Sequence, residues 1–340
     1  MSVSKPSIHD VATLANVSKS LVSLALMGSP KVGEESRAKI LVAAETLGYR
    51  KNAAARTLAA KRSKTIGVLV LDLHNPVFAE ILDGVQIEMR KNGFTTMLVS
   101  GGEGPVFEQS DIETLLQFQI EGLILISHRL APERLAAIAA EVPTVVVTRS
   151  DIQLPAMDTV SNDDVAGTGL AVDFLVTLGH SKIVCLSGGE NPPSNSRVQG
   201  YLQAMERNNL SESARVVPGG LSDATGYAAA TKALKLSPTA LVVANDFAAM
   251  GAIAAIQEAG LRVPEDISVI GYDGITIGGL KNVNLTTVSQ PLAELGTLAA
   301  TRLVERINNP KEPAKQITVS AQLLVRGTTK EPTGATELAN

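Results

Sequence analysis

Tryptophan is absent from this 340-residue chain, and all aromatic residues together make up only 3% of it. A core must therefore be filled by Val, Leu, Ile and Ala, which suits strands and helices packed as α/β layers. Cysteine occurs once, as Cys185 within Ile183-Val184-Cys185-Leu186. Internal disulfides and cysteine-based metal sites are thereby excluded, and a reducing compartment is expected. No apolar run approaches the roughly 18 residues of a membrane span. The opening MSVSKPSIHD lacks the continuous apolar stretch of a signal peptide, so the expectation is a cytoplasmic protein with no membrane partner. His9, His74, His128 and His180 are scattered without metal-ligand spacing, and Gly188-Gly189 alone does not make a phosphate loop. Neither catalysis nor a cofactor or metal is expected, and His180 in the turn Leu178-Gly179-His180 reads as structural.

What is present is a globular composition, 45% apolar and 19% charged, on a chain longer than the roughly 250 to 300 residues at which single cores stop growing. Two or three domains are implied. The net charge of -4 hides an asymmetry: residues 1–64 carry eleven Lys and Arg against four Asp and Glu, leaving nineteen against thirty for the rest. A basic head on an acidic body is the footprint of nucleic-acid binding, unless the pattern inside the head makes it a merely solvated terminus.

That pattern is helical. Ser7-Ile8-His9-Asp10 is a capping-box start, and Ile8, Val11, Ala12 and Ala15 follow at helical spacing. Asn16 tolerates the left-handed turn that ends this helix. Ser18 caps a second helix to Met27, with Val22, Ala25 and Leu26 inward. A third runs from about Glu34 to Leu47, with Ile40, Leu41, Ala44 and Leu47 inward and Gly48 ending it. Helix, short turn, helix is the arrangement whose second helix enters the major groove.

The string from Ile8 to Val70 resembles the N-terminus of the lactose/galactose repressor (LacI/GalR) family, through Asp10-Val11-Ala12, Val17-Ser18, Gly28-Ser29, Leu47-Gly48-Tyr49 and Asn52. The resemblance implies that Lys19, Ser20 and Leu24 face base edges and that Ser7, Ser18, Ser23, Tyr49 and Asn52 touch or approach phosphates. Leu24 departs from the arginine common there, which would pair with guanine. It either meets apolar surface such as a thymine methyl or is a surface residue without a specificity role. The segment Asn52 to Ala59 is a short alanine-rich helix, marginal alone. In the family it is a hinge that folds on DNA, with Arg56 among the DNA-binding residues and Leu58 wedged into the minor groove; a plain helical linker is the alternative.

From Thr65 apolar strands alternate with amphipathic helices, the mark of a parallel sheet covered on both faces. Strands are expected at Ile66–Leu71, Thr95–Ser100, Gly122–Ile126 and Thr144–Val147. A second series follows a helix from Asp164 to Leu178, with strands at Lys182–Leu186, Ala240–Val243 and Ile267–Gly271. A helix burying Phe78, Ile81, Leu82, Val85 and Met89 follows the first strand. The fold expected is a helix-turn-helix head plus a two-lobed, periplasmic-binding-protein-like α/β body. Its parts are a head at 1–50, a hinge at 51–64, a body at 65–330 and a flexible tail at 331–340. Within the body the first lobe takes 65–162 and 292–322, the second 163–291 and 323–330.

Ligands bind beyond the carboxyl ends of such strands, and polar residues recur there: Asp72, His74, Asn75, Ser127, Thr148, Arg149, Asn245, Asp246, Tyr272 and Asp273. The family resemblance continues through Asn75-Pro76, Ala244-Asn245-Asp246, Gly271-Tyr272-Asp273, Ser289-Gln290-Pro291 and Arg326-Gly327-Thr328, to about Lys330. It implies effector contacts at Arg197, Asn245 and Asp273, with Asp72, Asn75, Phe78 and Gln290 as further contacts. A guanidinium fork and a carboxylate suit vicinal hydroxyls, so the effector expected is a sugar or polyol. Thr148 stands where many sugar-binding members have Asp, and Leu221 near a position that often carries a stacking ring. The whole reads as a homodimeric repressor on a near-palindromic double-stranded DNA operator. A free-standing solute-binding protein would match the body but predicts a signal peptide and no basic head.

Overall fold

The structure, a computed structural model, describes residues 6–49, 62–102 and 104–333. The chain divides into two units between Ser63 and Lys64. Residues 50–61, which hold Asn52, Arg56 and Leu58 of the expected hinge helix, and residues 334–340 of the expected tail lie outside the described residues.

In the head, α1 (Ile8–Ala15) begins with the expected capping box: the Asp10 N–H donates to Ser7 Oγ, and the Asp10 carboxylate accepts from the Ser7 N–H at 2.7 Å. It ends at Asn16, whose φ of 53° is left-handed. Ser18 caps α2 (Lys19–Leu26) by accepting the Leu21 N–H. The next helix, α3 (Glu34–Thr46), is fastened by Arg37, which donates to the carbonyls of Ala25, Ser29 and Val32. Val11, Val22, Ala25, Ile40, Ala43 and Ala44 form the core of this bundle. One expectation fails: Leu41 is exposed, whereas Leu26 and Leu47 pack, half-buried, against the core. The buried stripe of α3 runs through Ile40, Ala43 and Ala44, and a residue about 100° round from Ile40 faces water.

In the body, the first sheet contains β1 (Thr65–Val70), β2 (Thr95–Ser100), β3 (Gly122–Ile126), β4 (Thr144–Val147), β5 (Met157–Asn162) and β11 (Gln316–Val319), in the order β11-β5-β4-β3-β1-β2, all parallel. The second contains β6 (Ile183–Leu186), β7 (Arg215–Val217), β8 (Ala240–Val243), β9 (Ser268–Asp273), β10 (Thr286–Ser289) and β12 (Gln322–Leu324), in the order β12-β10-β9-β8-β6-β7, with only β12 antiparallel. The connecting helices are α4 (Pro76–Lys91), α5 (Pro105–Gln117) and α6 (Pro132–Glu141) in the first lobe. In the second they are α7 (Asp164–Thr177), α8 (Pro192–Arg207), α9 (Asp223–Ala233) and α10 (Asp246–Glu258), while α11 (Leu292–Asn308) returns to the first. Gln322 already pairs with Ser289 in the second sheet, so the last crossing precedes Gln322 rather than following it. Tyr272 and Asp273 end strand β9 itself rather than lying beyond it.

The apolar face of α4, through Val77, Ile81, Leu82, Val85 and Met89, packs with Leu295, Ala299 and Leu303 of α11 over the strands; Phe78 is half-buried at its margin. The helices touch backbone to backbone at Gly84 and Gly296: a Cβ at Gly296 would collide with the Ile81 carbonyl, and one at Gly84 with that of Ala293. One buried charge cluster fixes the same lobe. Asp158 of β5 is fully buried and accepts from Arg302, Arg306 and the Lys315 N–H, so β5 is held to α11 and to the approach of β11. His180 is structural, as expected, its ring nitrogens meeting Thr239 Oγ1 at 2.9 Å and the Lys330 carbonyl at 2.8 Å.

Candidate functional site

The carboxyl ends of both sheets converge on a cleft of about 330 Å³. The first lobe contributes Asn75, Phe78, Ser127, His128, Arg129, Thr148, Arg149 and Asn162, and the second Asp164, Asn191, Ser194, Arg197, Leu221, Asn245, Asp273 and Gln290. Of the seven residues expected to contact an effector, Asn75, Phe78, Arg197, Asn245, Asp273 and Gln290 line this cleft. Asp72 does not. Its half-exposed carboxylate accepts from the His74 N–H at 2.9 Å and sits 3.0 Å from His74 Nδ1, a turn contact on the outer loop. Strand-end position alone did not distinguish it from the lining residues.

Arg197 organises the second-lobe wall. The side chain leaves α8, donates from Nε to Asp164 at 3.0 Å and from Nη1 to the Ala244 carbonyl at 2.6 Å, and stands 3.3 Å from Asp273. Its guanidinium lies 3.8 Å from the centre of the Tyr272 ring. Burial alone would lower the guanidinium pKa, but the Asp164 and Asp273 carboxylates raise it above its ordinary value. Asp273 moves the other way: burial pushes its pKa up to about 6 despite Arg197. Gln290 donates to Asp273 Oδ1 at 2.7 Å. Asn245 caps α10 through the Ala248 N–H and donates to the Leu221 carbonyl, and Asn75 caps α4 through the Val77 N–H. Both asparagines therefore hold the cleft rim in place as well as lining it.

Backbone strain gathers at the same place. Ser127, Thr148 and Asp273, at the ends of β3, β4 and β9, have φ of 56°, 69° and 111°. Side-chain-bearing residues rarely adopt these values, least of all a β-branched threonine, and such strain persists where the surroundings over-determine it. Three buried polar atoms in the cleft wall also lack a hydrogen-bond partner: His128 Nε2, Thr148 Oγ1 and Asn162 Oδ1. Sequence reasoning named Ser127 and Arg149 only as residues past strand ends, Thr148 also as a departure from the family's Asp, and did not identify His128, Asn162 or Asp164 as cleft residues. The runs around these last three carry no pattern that separates a cleft residue from a loop or cap residue.

On the head, Ser7, Ser18, Lys19 and Ser20 are exposed, and Ser23 and Tyr49 half-buried. The Ser7 and Ser18 hydroxyls serve as helix caps. Leu24 packs, half-buried, against the head core, which gives it a structural role whatever it meets on DNA. Among the described residues no helix is long and apolar enough to cross a membrane.

A helix-turn-helix unit joined to a two-sheet body with a polar cleft between its lobes defines the class: a ligand-responsive DNA-binding regulator. Residues 7–52 match the bacterial regulatory proteins of the lacI family, and residues 172–329 the periplasmic binding protein-like domain. The ribose operon repressor of Haemophilus influenzae is 32% identical over 323 residues, covering 94% of this chain and 97% of that protein. The HTH-type transcriptional repressor PurR of Vibrio vulnificus is 34% identical over 331 residues, covering 95% and 98%. The crystal structure of the lac repressor dimer bound to operator and an anti-inducer superposes with a TM-score of 0.86 at 29% identity, covering 96% of this chain and 99% of that one. The chain belongs to the lacI family: it is a DNA-binding transcriptional regulator with a small-molecule effector domain.

Proposed function

We propose that this regulator represses transcription as a homodimer on a near-palindromic operator, and that a sugar or polyol held between its lobes sets its DNA affinity. In this reading residues 1–50 are the DNA-binding head, with Lys19, Ser20 and Leu24 at base edges and Ser7, Ser18, Ser23 and Tyr49 near phosphates. Residues 51–64 are the hinge, with Asn52 near phosphates, Arg56 on the DNA and Leu58 in the minor groove. The effector is held by Asn75, Phe78, Arg197, Asn245, Asp273 and Gln290, and its binding changes the lobe orientation and hence the pairing of the hinges.

The observation that carries this reading is the Arg197–Asp273 pair at the cleft floor, with Gln290 and Asp164 fixing its geometry. A fork of donors beside an acceptor suits a ligand that presents neighbouring hydroxyls. The similarity to a ribose operon repressor supports a sugar. A purine, suggested by the similarity to PurR, is less favoured: among the described residues Phe78 is the one phenyl ring lining the cleft, and Leu221 supplies no second ring for stacking. Dimerisation is supported by apolar residues exposed on the first lobe, Leu98 on the edge strand β2, Ile87 on α4, and Val106 and Phe107 on α5. The likeness to a dimeric lac repressor supports it too.

The test is a thermal-shift screen of sugars, polyols and purines, followed by operator-binding titrations with each stabilising compound. A sugar that raises the melting temperature and changes operator affinity supports the reading. A purine alone doing so, or no stabilising compound changing DNA affinity, overturns the sugar assignment. By linkage, an effector that weakens DNA binding must itself bind the DNA complex less tightly.

A further inference from the structure

The cleft holds three cations apart from histidine, Arg129, Arg149 and Arg197, and each is already paired within the protein. Arg129 meets the fully buried Glu108 at 3.3 Å, Arg149 grips Asp151 with two bonds of 2.7 Å, and Arg197 lies between Asp164 and Asp273. A phosphate or carboxylate that engaged Arg197 would have to part it from Asp164 or Asp273 and leave a buried carboxylate without its partner. Breaking a buried pair in this way is strongly unfavourable.

Among the described residues, the buried side-chain atoms on the first-lobe wall that lack a hydrogen-bond partner are neutral. They come from three neighbouring strands, β3, β4 and β5. His128 is 3% exposed and its Nδ1 accepts the Leu130 N–H at 3.2 Å, so the proton of the neutral ring sits on Nε2, which has no partner. Burial pushes the imidazole pKa down to about 4, so the ring is neutral in the ordinary pH range. Asn162, 4% exposed, gives its Nδ2 to the Tyr272 hydroxyl and leaves Oδ1 as a free acceptor. Between them Thr148 Oγ1, also without a partner, can donate or accept. Buried polar groups are rarely left unpaired, and an unmet set on residues lining one cleft is a ligand's counterpart.

We propose that His128, Thr148 and Asn162 form a neutral hydroxyl-reading subsite, with His128 as its specificity-determining donor, and that the effector is uncharged, its phosphorylated and carboxylate counterparts being rejected. The proposal rests on the reading of this cleft as the effector site and names the chemical class that site takes. The second-lobe wall grips through charged groups already balanced against one another. The first-lobe wall adds a donor, an acceptor and a group that can be either, which together match a run of hydroxyls.

The experiment is calorimetric titration of the full-length protein with paired probes: D-ribose and D-ribose 5-phosphate, D-glucose and D-glucose 6-phosphate, and D-glucose and D-gluconate, with sorbitol and myo-inositol as further neutral members. Any neutral member that binds is expected to do so at least tenfold more tightly than its anionic counterpart. His128→Leu, which removes the donor, is expected to weaken that binding about tenfold, the value of one unmet hydrogen bond. His128→Gln, which restores an N–H, is expected to recover most of it. An anionic member binding as tightly as its neutral partner, or His128→Leu binding within twofold of the parent, overturns the subsite while leaving the cleft as the effector site. Absence of binding by every probe overturns the sugar reading of the cleft and this proposal with it. Melting temperatures of both variants separate a lost contact from a lost fold.

Discussion

The side-chain amide of Asn162 donates to the Tyr272 hydroxyl at 2.7 Å, joining the last residue of β5 in the first lobe to β9 in the second. Both residues are buried, and the Tyr272 ring also carries the Arg197 guanidinium on its face. One tyrosine therefore links the crossing between lobes to the charged floor of the cleft. Tyr272→Phe keeps the ring and removes the link. The loss of a buried hydroxyl with its partner left unmet is expected to cost about 1–3 kcal/mol. A lower melting temperature of the body and an altered effector affinity would both follow; an unchanged value of each would show that the bond couples nothing.

The contact between α4 and α11 depends on two absent side chains. Gly296→Ala places a methyl group against the Ile81 carbonyl, and neither backbone can withdraw without moving a helix packed over the first sheet. Overpacking of this kind costs about 1–3 kcal/mol or more. The loss is expected in the melting temperature of the body. DNA binding by the folded protein should survive, so equal stability of the variant and parent would contradict the packing described.

How far the sequence showed this can be read from β5 and His128. Strands such as Gly122–Ile126 are continuous apolar runs and were legible, as were the capping box at Ser7 and the left-handed Asn16. The segment Met157–Asn162 reads MDTVSN, with no apolar run, yet every residue is buried. Its charge is matched by Arg302 and Arg306 from 144 and 148 positions away, which periodicity cannot register. In the cleft the same limit applies. Asp72 and Asp273 both stand at or near strand ends, and only the packing shows that one is turned to solvent and the other held against Arg197. His128 likewise became informative only once the Leu130 N–H was seen to occupy Nδ1.

The pH dependence of stability should carry opposing contributions. Burial, with help from Asp273, pushes Asp246 up from 3.8 to about 7. Between those two values the folded state binds more protons than the unfolded chain, so this group adds stability as pH falls through 7 towards 3.8. His128 acts in the opposite sense. Its ring is depressed from 6.5 to about 4, so its contribution is complete above 6.5 and is lost as pH falls through that window. Asp246→Asn removes the first contribution alone. Melting temperatures from pH 4.5 to 8 should then fall more steeply on the acid side in the variant than in the parent, and parallel curves would contradict the raised pKa of Asp246.

The head offers a way to separate folding from recognition. Ser18 caps α2 through the Leu21 N–H, whereas Lys19 and Ser20 are exposed and show no cap bond. Ser18→Ala should cost about 1 kcal/mol of head stability. Any effect on DNA would follow from fraying of α2. Lys19→Ala should leave the head as stable as before but weaken operator binding. If Lys19 reads a base edge by hydrogen bonding, the loss should be about 1–3 kcal/mol and confined to the specific site. If it contacts phosphate instead, specific and nonspecific affinity should fall together, and the slope of log affinity against log salt should decrease by about one. Operator titrations at several salt concentrations distinguish the two. Unchanged affinity for both DNAs would remove Lys19 from the interface altogether and shift base reading to Ser20 and Leu24.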